Sequence, residues 1–112
     1  MDSNERGTSG AEDRAAVIQL TIDYCWALDT GSWNDLRDVF QADAVTDLGA
    51  GGQQGIDEII GRVSSALEPL DDSQHMVTNH QIELDGDNAT GRCYLQAQHI
   101  HRHTEGGELY TV

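Results

Sequence analysis

The sequence has little positive charge and no long apolar run, and these two absences limit the classes of partner. Six arginine and lysine residues stand against twenty aspartate and glutamate residues, giving the 112-residue chain a formal net charge of -14. Phosphate backbones and anionic lipids repel such a surface, so we expect neither a nucleic-acid nor a membrane partner. No apolar run approaches the roughly 20 residues that cross a bilayer, and residues 1–12 lack a signal peptide's apolar stretch, which predicts a cytoplasmic protein.

Cysteine is also scarce, which bears on covalent cross-links and metal sites. Cys25 and Cys93 are the only two cysteines; they lie far apart and fit no CxxC pattern. We therefore expect two buried thiols rather than a disulfide or a metal site, and neither thiol is a candidate nucleophile. A chain of this length has room for one domain with one core.

Three helices are predicted in the first two thirds of the chain. Residues 1–10 are polar and rich in glycine and serine, which predicts a disordered tail before a domain at 11–112. Apolar residues then follow helical spacing over residues 11–28. Ser32, with Asp35 three residues later, resembles a capping box that begins a short second helix. The third helix covers residues 56–67, where apolar residues recur at steps of three and four.

The remaining segments predict strands. Four of them are expected, over residues 44–48, 74–84, 89–103 and 109–112, with a loop at 49–55 and a hairpin turn at 85–88. Helices followed by antiparallel strands are typical of an α+β fold in which helices cover one face of the sheet. A strand of about fifteen residues exceeds the usual five or six, so we expect it to bend around a cavity.

Asp29 and five histidines are the residues that could perform chemistry. Asp29 ends the first helix, where the helix dipole gives a carboxylate no local stabilisation. It either serves the site or favours the turn before Gly31, and its position alone does not decide between the two. All five histidines lie between His75 and His103, and alternation places His99 on the more apolar face of its strand. The alternation breaks between residues 78 and 81, which leaves the face of His75 open.

The run of His99, His101 and His103 offers a rival interpretation as a metal site. Three imidazoles on one side of a strand could bind zinc or iron with a fourth ligand. However, such residues are about 7 Å apart on a flat strand. We therefore expect no metal, and we expect His101 and His103 to be solvated.

Several short motifs taken together resemble a known family. They are residues 24–33 (YCWALDTGSW), Leu36, Phe40, residues 43–44 and residues 74–77 (QHMV). Over residues 13–112 this pattern resembles the SnoaL-like group of the nuclear-transport-factor-2-like class, in particular its scytalone dehydratase-like branch. The resemblance implies a cone-shaped, curved, mixed or antiparallel sheet covered by three helices, with a pocket between the first helix and the sheet.

The resemblance also implies roles for individual residues. Asp29 would orient His75, whose imidazole would remove a proton from the substrate. His99 matches a second histidine of scytalone dehydratase, and Tyr24 matches a tyrosine that could polarise a carbonyl. The residues implied to bind the substrate are Leu28, Leu48, Trp33, Val77 and Leu95.

Two departures from the family pattern modify these expectations. Leu28 and Leu48 replace tyrosines that hold a water in scytalone dehydratase, which predicts a different substrate. The family usually continues through two more strands after the position of Val112. We therefore expect a truncated chain, a short form, or a sheet completed by another chain in a dimer or trimer.

The function predicted is a lyase or isomerase that needs no cofactor and acts on a small hydrophobic cyclic substrate. Elimination next to an acidic C–H bond requires a base with a pKa near neutrality, and a histidine paired with a carboxylate supplies one. Two alternatives stay open. One is a polyketide cyclase of the SnoaL type, and the other is a non-catalytic domain that binds small molecules, because a fold does not fix a function.

Overall fold

The computed structural model describes residues 3–101 and 108–111, with side chains for residues 10–101. The elements in chain order are α1 (Ser3–Asp29), a 3-10 helix (Trp33–Asp38), β1 (Val45–Thr46), β2 (Gln53–Gln54), α2 (Ile56–Leu67), β3 (Asp72–Asp85), β4 (Asn88–His101) and β5 (Glu108–Thr111). The predicted α+β class is confirmed. His103 lies outside the described residues, and the division into a tail at 1–10 and a domain at 11–112 stays a prediction.

The first helix ends where the sequence predicted, but its backbone begins at Ser3 rather than at residue 11. At its end Gly31 has a φ of 66°, a left-handed conformation that glycine adopts without a Cβ clash. Its N–H donates to the carbonyl of Leu28 (3.2 Å), and the N–H of Ser32 donates to Ala27 (2.9 Å). These two bonds form a Schellman motif, which makes Asp29 the last helical residue.

Two local predictions between the helices are wrong. The second helix is a 3-10 helix, and the side chain of Ser32 makes no capping hydrogen bond. The Ser32 hydroxyl instead accepts a hydrogen bond from Thr30 Oγ1 (2.9 Å). The predicted loop at 49–55 contains β2, which pairs with β1. The buried side-chain amide of Gln53 accepts hydrogen bonds from the Thr46 hydroxyl and the Leu48 N–H, and it donates one to the carbonyl of Gly49. It thus provides hydrogen-bond partners for polar groups inside the turn of this hairpin.

The long hairpin of β3 and β4 carries a bulge that the sequence pattern had left unexplained. Its pairing register shifts between Thr78 and Gln81, and Asn79 has a φ of 58°. Half-buried residues fall at odd positions up to Val77 and at even positions from His80 onward. Without the bulge, polar residues 79, 81 and 83 would face inward instead, because a one-residue shift exchanges the faces of a strand.

Helix α1 lies along β3 in the opposite direction and places its C-terminus beside the start of that strand. Asp29 bonds to His75, Thr21 bonds to His80, and Gly10 lies near the Leu84 side chain. The main core lies at the Asp29 end, and it consists of Ala27, Leu28, Leu36, Ile56, Ile59, Val63 and Leu67.

The hairpin of β1 and β2 and the sheet in the order β3-β4-β5 are separate within the described residues. Leu20, one of the apolar residues in the helical pattern over residues 11–28, is 40% exposed. Cys25 is buried and Cys93 is half-buried, and both are free thiols. Within the described part of the chain, no helix is both long and apolar enough to span a bilayer.

Candidate active site

Asp29 and His75 form a hydrogen-bonded pair at the packed end of the molecule. The distance between His75 Nδ1 and Asp29 Oδ1 is 2.7 Å, and the side chains of His75 and Asp29 are 5% and 16% exposed respectively. The backbone N–H of His75 also donates to Asp29 Oδ2 (3.0 Å). An ionised carboxylate can only accept hydrogen bonds, so Nδ1 carries the proton of the neutral ring. The lone pair of Nε2 is then available as a base.

Ser73 is a further partner of the Asp29 carboxylate, and it was not predicted from the sequence. Its hydroxyl donates to Oδ1 at 3.2 Å. Ser73 and His75 are two residues apart on β3 and therefore point to the same face. A serine two positions before the histidine was the signal that could have identified it. Three donors together fix the position of the carboxylate.

His99 lies next to His75 on the neighbouring strand. Ser73 pairs with His99 and His75 with Ala97 in the β3–β4 register, so the two histidines are diagonal neighbours. Their ring centroids are 5.7 Å apart. Burial, followed by the nearby His75 and His101, lowers the pKa of His99. His99 is therefore neutral at neutral pH and can act as a hydrogen-bond partner rather than as a cation.

Tyr24 contributes a hydroxyl from helix α1. Its ring packs edge-on against Phe40, with centroids 6.0 Å apart. Burial, with a smaller contribution from the neighbouring Cys25, raises the pKa of Tyr24. The hydroxyl thus stays protonated and can donate a hydrogen bond to an oxygen atom of a ligand.

Five of the predicted site residues line one open pocket of about 180 Å³, which lies between α1, α2 and the sheet. They are Tyr24, Leu28, Leu48, His75 and His99. Asp29 does not line this pocket, but it lines a second, larger cavity of about 710 Å³ together with His75. His75 therefore borders both cavities, and the smaller one holds both histidines.

The other three predicted substrate-binding residues are placed elsewhere. Val77 lines the larger cavity, and its partner Leu95 on β4 is 49% exposed. Val77 and Leu95 pair with each other two residues further along the hairpin than His75 and Ala97. Trp33 packs against the core from the 3-10 helix and lines a third cleft beside Gly31. Val77 thus shares a cavity with Asp29 and His75, whereas Trp33 and Leu95 line neither of the two cavities beside His75, and the roles of all three stay predictions.

Arg62 of α2 also lines the small pocket, and it too was not predicted from the sequence. Its Nε donates to the carbonyl of Leu48 at 3.0 Å. Arg62 is the only basic residue of α2 and follows the buried Ile59 by three positions, which places it beside the apolar face. That spacing was the signal that could have identified it.

Cys25 and the histidine run are the remaining reactive groups. Burial, together with Asp29 and Cys93, raises the pKa of Cys25 to about 11, so its thiol stays protonated and is a poor nucleophile. Among the described residues, no group of three or more histidine, cysteine, aspartate or glutamate side chains is arranged to hold a metal ion. The expected absence of a metal stays a prediction.

The helix-covered antiparallel sheet has the fold of nuclear-transport-factor-2-like proteins, since a candidate dehydratase of that family from Streptomyces avermitilis superposes with a TM-score of 0.59 at 14% identity, covering 90% of this chain and 93% of the other. The model of the SnoaL-like domain matches residues 9–112, and the chain belongs to this family. A solved structure of a candidate aromatic ring hydroxylase from Novosphingobium aromaticivorans is 31% identical and superposes with a TM-score of 0.79, covering 91% of this chain and 73% of the other.

Two further relatives extend this comparison. A candidate scytalone dehydratase from Novosphingobium aromaticivorans has a TM-score of 0.80 at 17% identity, covers 94% of this chain and 72% of the other, and supports the fold. The uncharacterized protein Rv2910c of Mycobacterium tuberculosis is 33% identical over 96 residues, which are 82% of this chain. The match spans 64% of the length of that relative.

Proposed function

We propose that this chain is a lyase or isomerase that removes a proton from a small cyclic substrate without a cofactor. The observation that carries the proposal is the 2.7 Å bond between Asp29 and His75. This bond leaves Nε2 of His75 as a base beside a pocket that also holds His99 and Tyr24. The structural likeness to a candidate scytalone dehydratase supports an elimination.

A dehydration in this pocket would proceed as follows. Tyr24 donates a hydrogen bond to a carbonyl oxygen of the substrate, which makes the adjacent C–H bond more acidic. Nε2 of His75 takes that proton, the C–H electron pair forms a C=C bond, and the C–O bond to the leaving hydroxyl breaks. The hydroxyl then takes the proton from His75 and leaves as water, while neutral His99 holds it by a hydrogen bond.

Asp29 has a positioning role in this scheme. Its carboxylate accepts a hydrogen bond from Nδ1–H and so holds the histidine in the tautomer that acts as a base. Replacing Asp29 with asparagine keeps the shape of the side chain, yet it removes the negative charge and leaves one acceptor oxygen where the carboxylate has two. We expect the rate to fall by about 100- to 10,000-fold with little change in folding.

Nitrobenzisoxazole is a suitable probe for this prediction because a base alone drives its ring-opening elimination. The base takes the ring C–H proton, a nitrile forms, and the N–O bond breaks to give a coloured phenolate. We expect Asp29→Asn and His75→Gln to lose the acceleration. His80→Gln, which changes a histidine outside the small pocket, should keep it. If the wild-type rate does not exceed that of free imidazole at the same concentration, the non-catalytic binding domain replaces this proposal.

We also propose that the chain forms a homo-oligomer in the cytoplasm. In the described residues the hairpin of β1 and β2 does not pair with the other sheet, and unpaired strand edges favour association. Light scattering on the purified protein tests the assembly, and a single monomeric species at working concentration would contradict it.

A further inference from the structure

Arg62 is a positive charge on the wall of a pocket in a strongly acidic protein. Its side chain is half-buried, and it shares the lining of the small pocket with Tyr24, His75 and His99. The net charge of the chain is -14, so the protein as a whole repels anions. A local attraction for an anion therefore has to come from a specific cation.

The contacts of Arg62 leave most of its hydrogen-bonding capacity unused. Its Nε donates to the Leu48 carbonyl at 3.0 Å. A guanidinium has five N–H donors in a planar fork, so four remain on the two terminal nitrogens. Among residues 10–101, Arg62 makes no ion pair, whereas Arg37 pairs with Asp57 at 2.9 Å and Arg92 bonds to Gln81 at 2.8 Å.

The bond to Leu48 orients the guanidinium but does not neutralise it. A carbonyl is a neutral acceptor, and a charge that is partly withdrawn from water is costly unless an opposite charge accompanies it. Gly49 contributes to this arrangement, because a Cβ at that position would lie 3.2 Å from Nη2 of Arg62. The chain therefore presents a fixed guanidinium fork whose planar geometry matches a carboxylate.

We infer that Arg62 binds a carboxylate of the substrate, so that the pocket selects compact cyclic carboxylic acids over neutral rings. This inference rests on the proposed function, because the anchored carboxylate would hold the ring with its acidic C–H bond toward His75. A pocket of about 180 Å³ lies below the roughly 300 Å³ at which sites for drug-sized ligands begin. A single ring with one anionic substituent suits that volume.

Benzoate and benzamide provide a direct test, because they share a ring and a planar substituent but differ in charge. Binding is measured by NMR from the shifts of the imidazole C–H signals of His75 and His99. We expect the wild type to bind benzoate at least about tenfold more tightly than benzamide, as a charge-assisted pair allows.

Two matched variants separate the local charge from the overall charge. Arg62→Gln removes the charge while keeping a donor for the Leu48 carbonyl, and we expect it to lose the preference for benzoate. Arg37→Gln removes the same charge from an exposed ion pair and should keep the preference. Arg62→Lys keeps the positive charge but lacks the planar guanidinium fork, so we expect it to keep part of the preference for benzoate.

The inference is overturned if benzamide binds the wild type as tightly as benzoate, if neither binds, or if Arg62→Gln keeps the preference. A melting curve for each variant establishes that the loss is not a loss of folding. Equilibrium binding requires no proton transfer. The result is therefore independent of whether nitrobenzisoxazole is turned over, and each proposal can fail without the other.

Discussion

The two ends of helix α1 differ sharply in how they are packed. At the C-terminal end Cys25, Ala27 and Leu28 are buried, and Ala27 and Leu28 join a core that the 3-10 helix and α2 complete. At the other end, residues 11–20 are all exposed or half-exposed, and among the described elements β3 is the main partner of the helix there. The same helix is thus part of a three-sided core at one end and of a two-element layer at the other.

This difference explains the location of the candidate site. A catalytic pair has to be held within a fraction of an ångström, and tightly packed surroundings restrict the rotamers of its members. Asp29, His75 and Arg62 each lie at the packed end, and each is oriented by a second hydrogen bond or a neighbouring backbone group. The far end of the hairpin instead extends the molecule to 62 Å in its longest dimension.

The proposed difference in packing would be contradicted most clearly if the same side-chain truncation at each end of the molecule lowered the free energy of unfolding equally. Ile59 is fully buried in the core, whereas Ile82 is half-buried on the far half of β3. We expect Ile59→Ala to lower the free energy of unfolding by about 3–5 kcal/mol and Ile82→Ala by about 1–2 kcal/mol. Urea denaturation measures both. Equal losses would mean that an additional layer covers the far end.

A second test concerns how firmly the end of α1 is fixed. Gly31 has a φ of 66°, whereas Gly61, on the exposed side of α2, has no positive φ and has open space where the methyl group of an alanine would lie. We expect Gly31→Ala to destabilise the protein by about 1–2 kcal/mol, because alanine is strained in the left-handed region.

Gly61→Ala is the matched control for that test. Alanine favours a helix over glycine by about 0.8–1 kcal/mol, so this variant should raise the melting temperature. The Gly31 variant should also slow the elimination of nitrobenzisoxazole, since it displaces Asp29. A stable Gly31→Ala protein with an unchanged rate would contradict a fixed helix end.

The smallest expected effect on stability comes from a hydrogen bond midway along α1, between Thr21 and His80. Thr21 Oγ1 donates to the Ile18 carbonyl (2.7 Å) and lies 2.8 Å from His80 Nε2. The hydroxyl has only one proton, so Nε2 must be the donor in the second bond. We expect Thr21→Val to cost about 0.5–1.5 kcal/mol, while Thr21→Ser should keep most of that stability. Thermal unfolding measures the difference, and a neutral valine variant would show that water satisfies His80.

The sequence pattern predicted the helices and their ends at the packed end better than it predicted which side chains line the candidate site. Helix α2 and the stop at Gly31 follow from periodicity and turn residues, which act locally. The face of His75 could not be predicted, because the bulge at Asn79 depends on a backbone conformation that no alternation rule anticipates. Arg62 was missed because its contact is with the carbonyl of Leu48, a group that is the same for every residue type.

The cap of the short second helix and the strand β2 were mispredicted for a related reason. Ser32 and Asp35 fit a capping box, but the serine hydroxyl is used by Thr30. The glycines around Gln53 are typical of a loop, yet one buried amide provides the hydrogen bonds that make a hairpin of it. In both cases a tertiary or side-chain contact outweighed a local preference.

The bulge in β3 also has a consequence for how this protein can change over generations. Because the register shifts there, residues on the two sides of the bulge obey opposite alternation patterns. A substitution that reshapes the far half of the hairpin leaves the inward positions of Ser73 and His75 untouched. The bulge therefore separates the half of the hairpin that carries His75 from a half with the opposite alternation, and deletion of Asn79 would exchange the two faces of the far half.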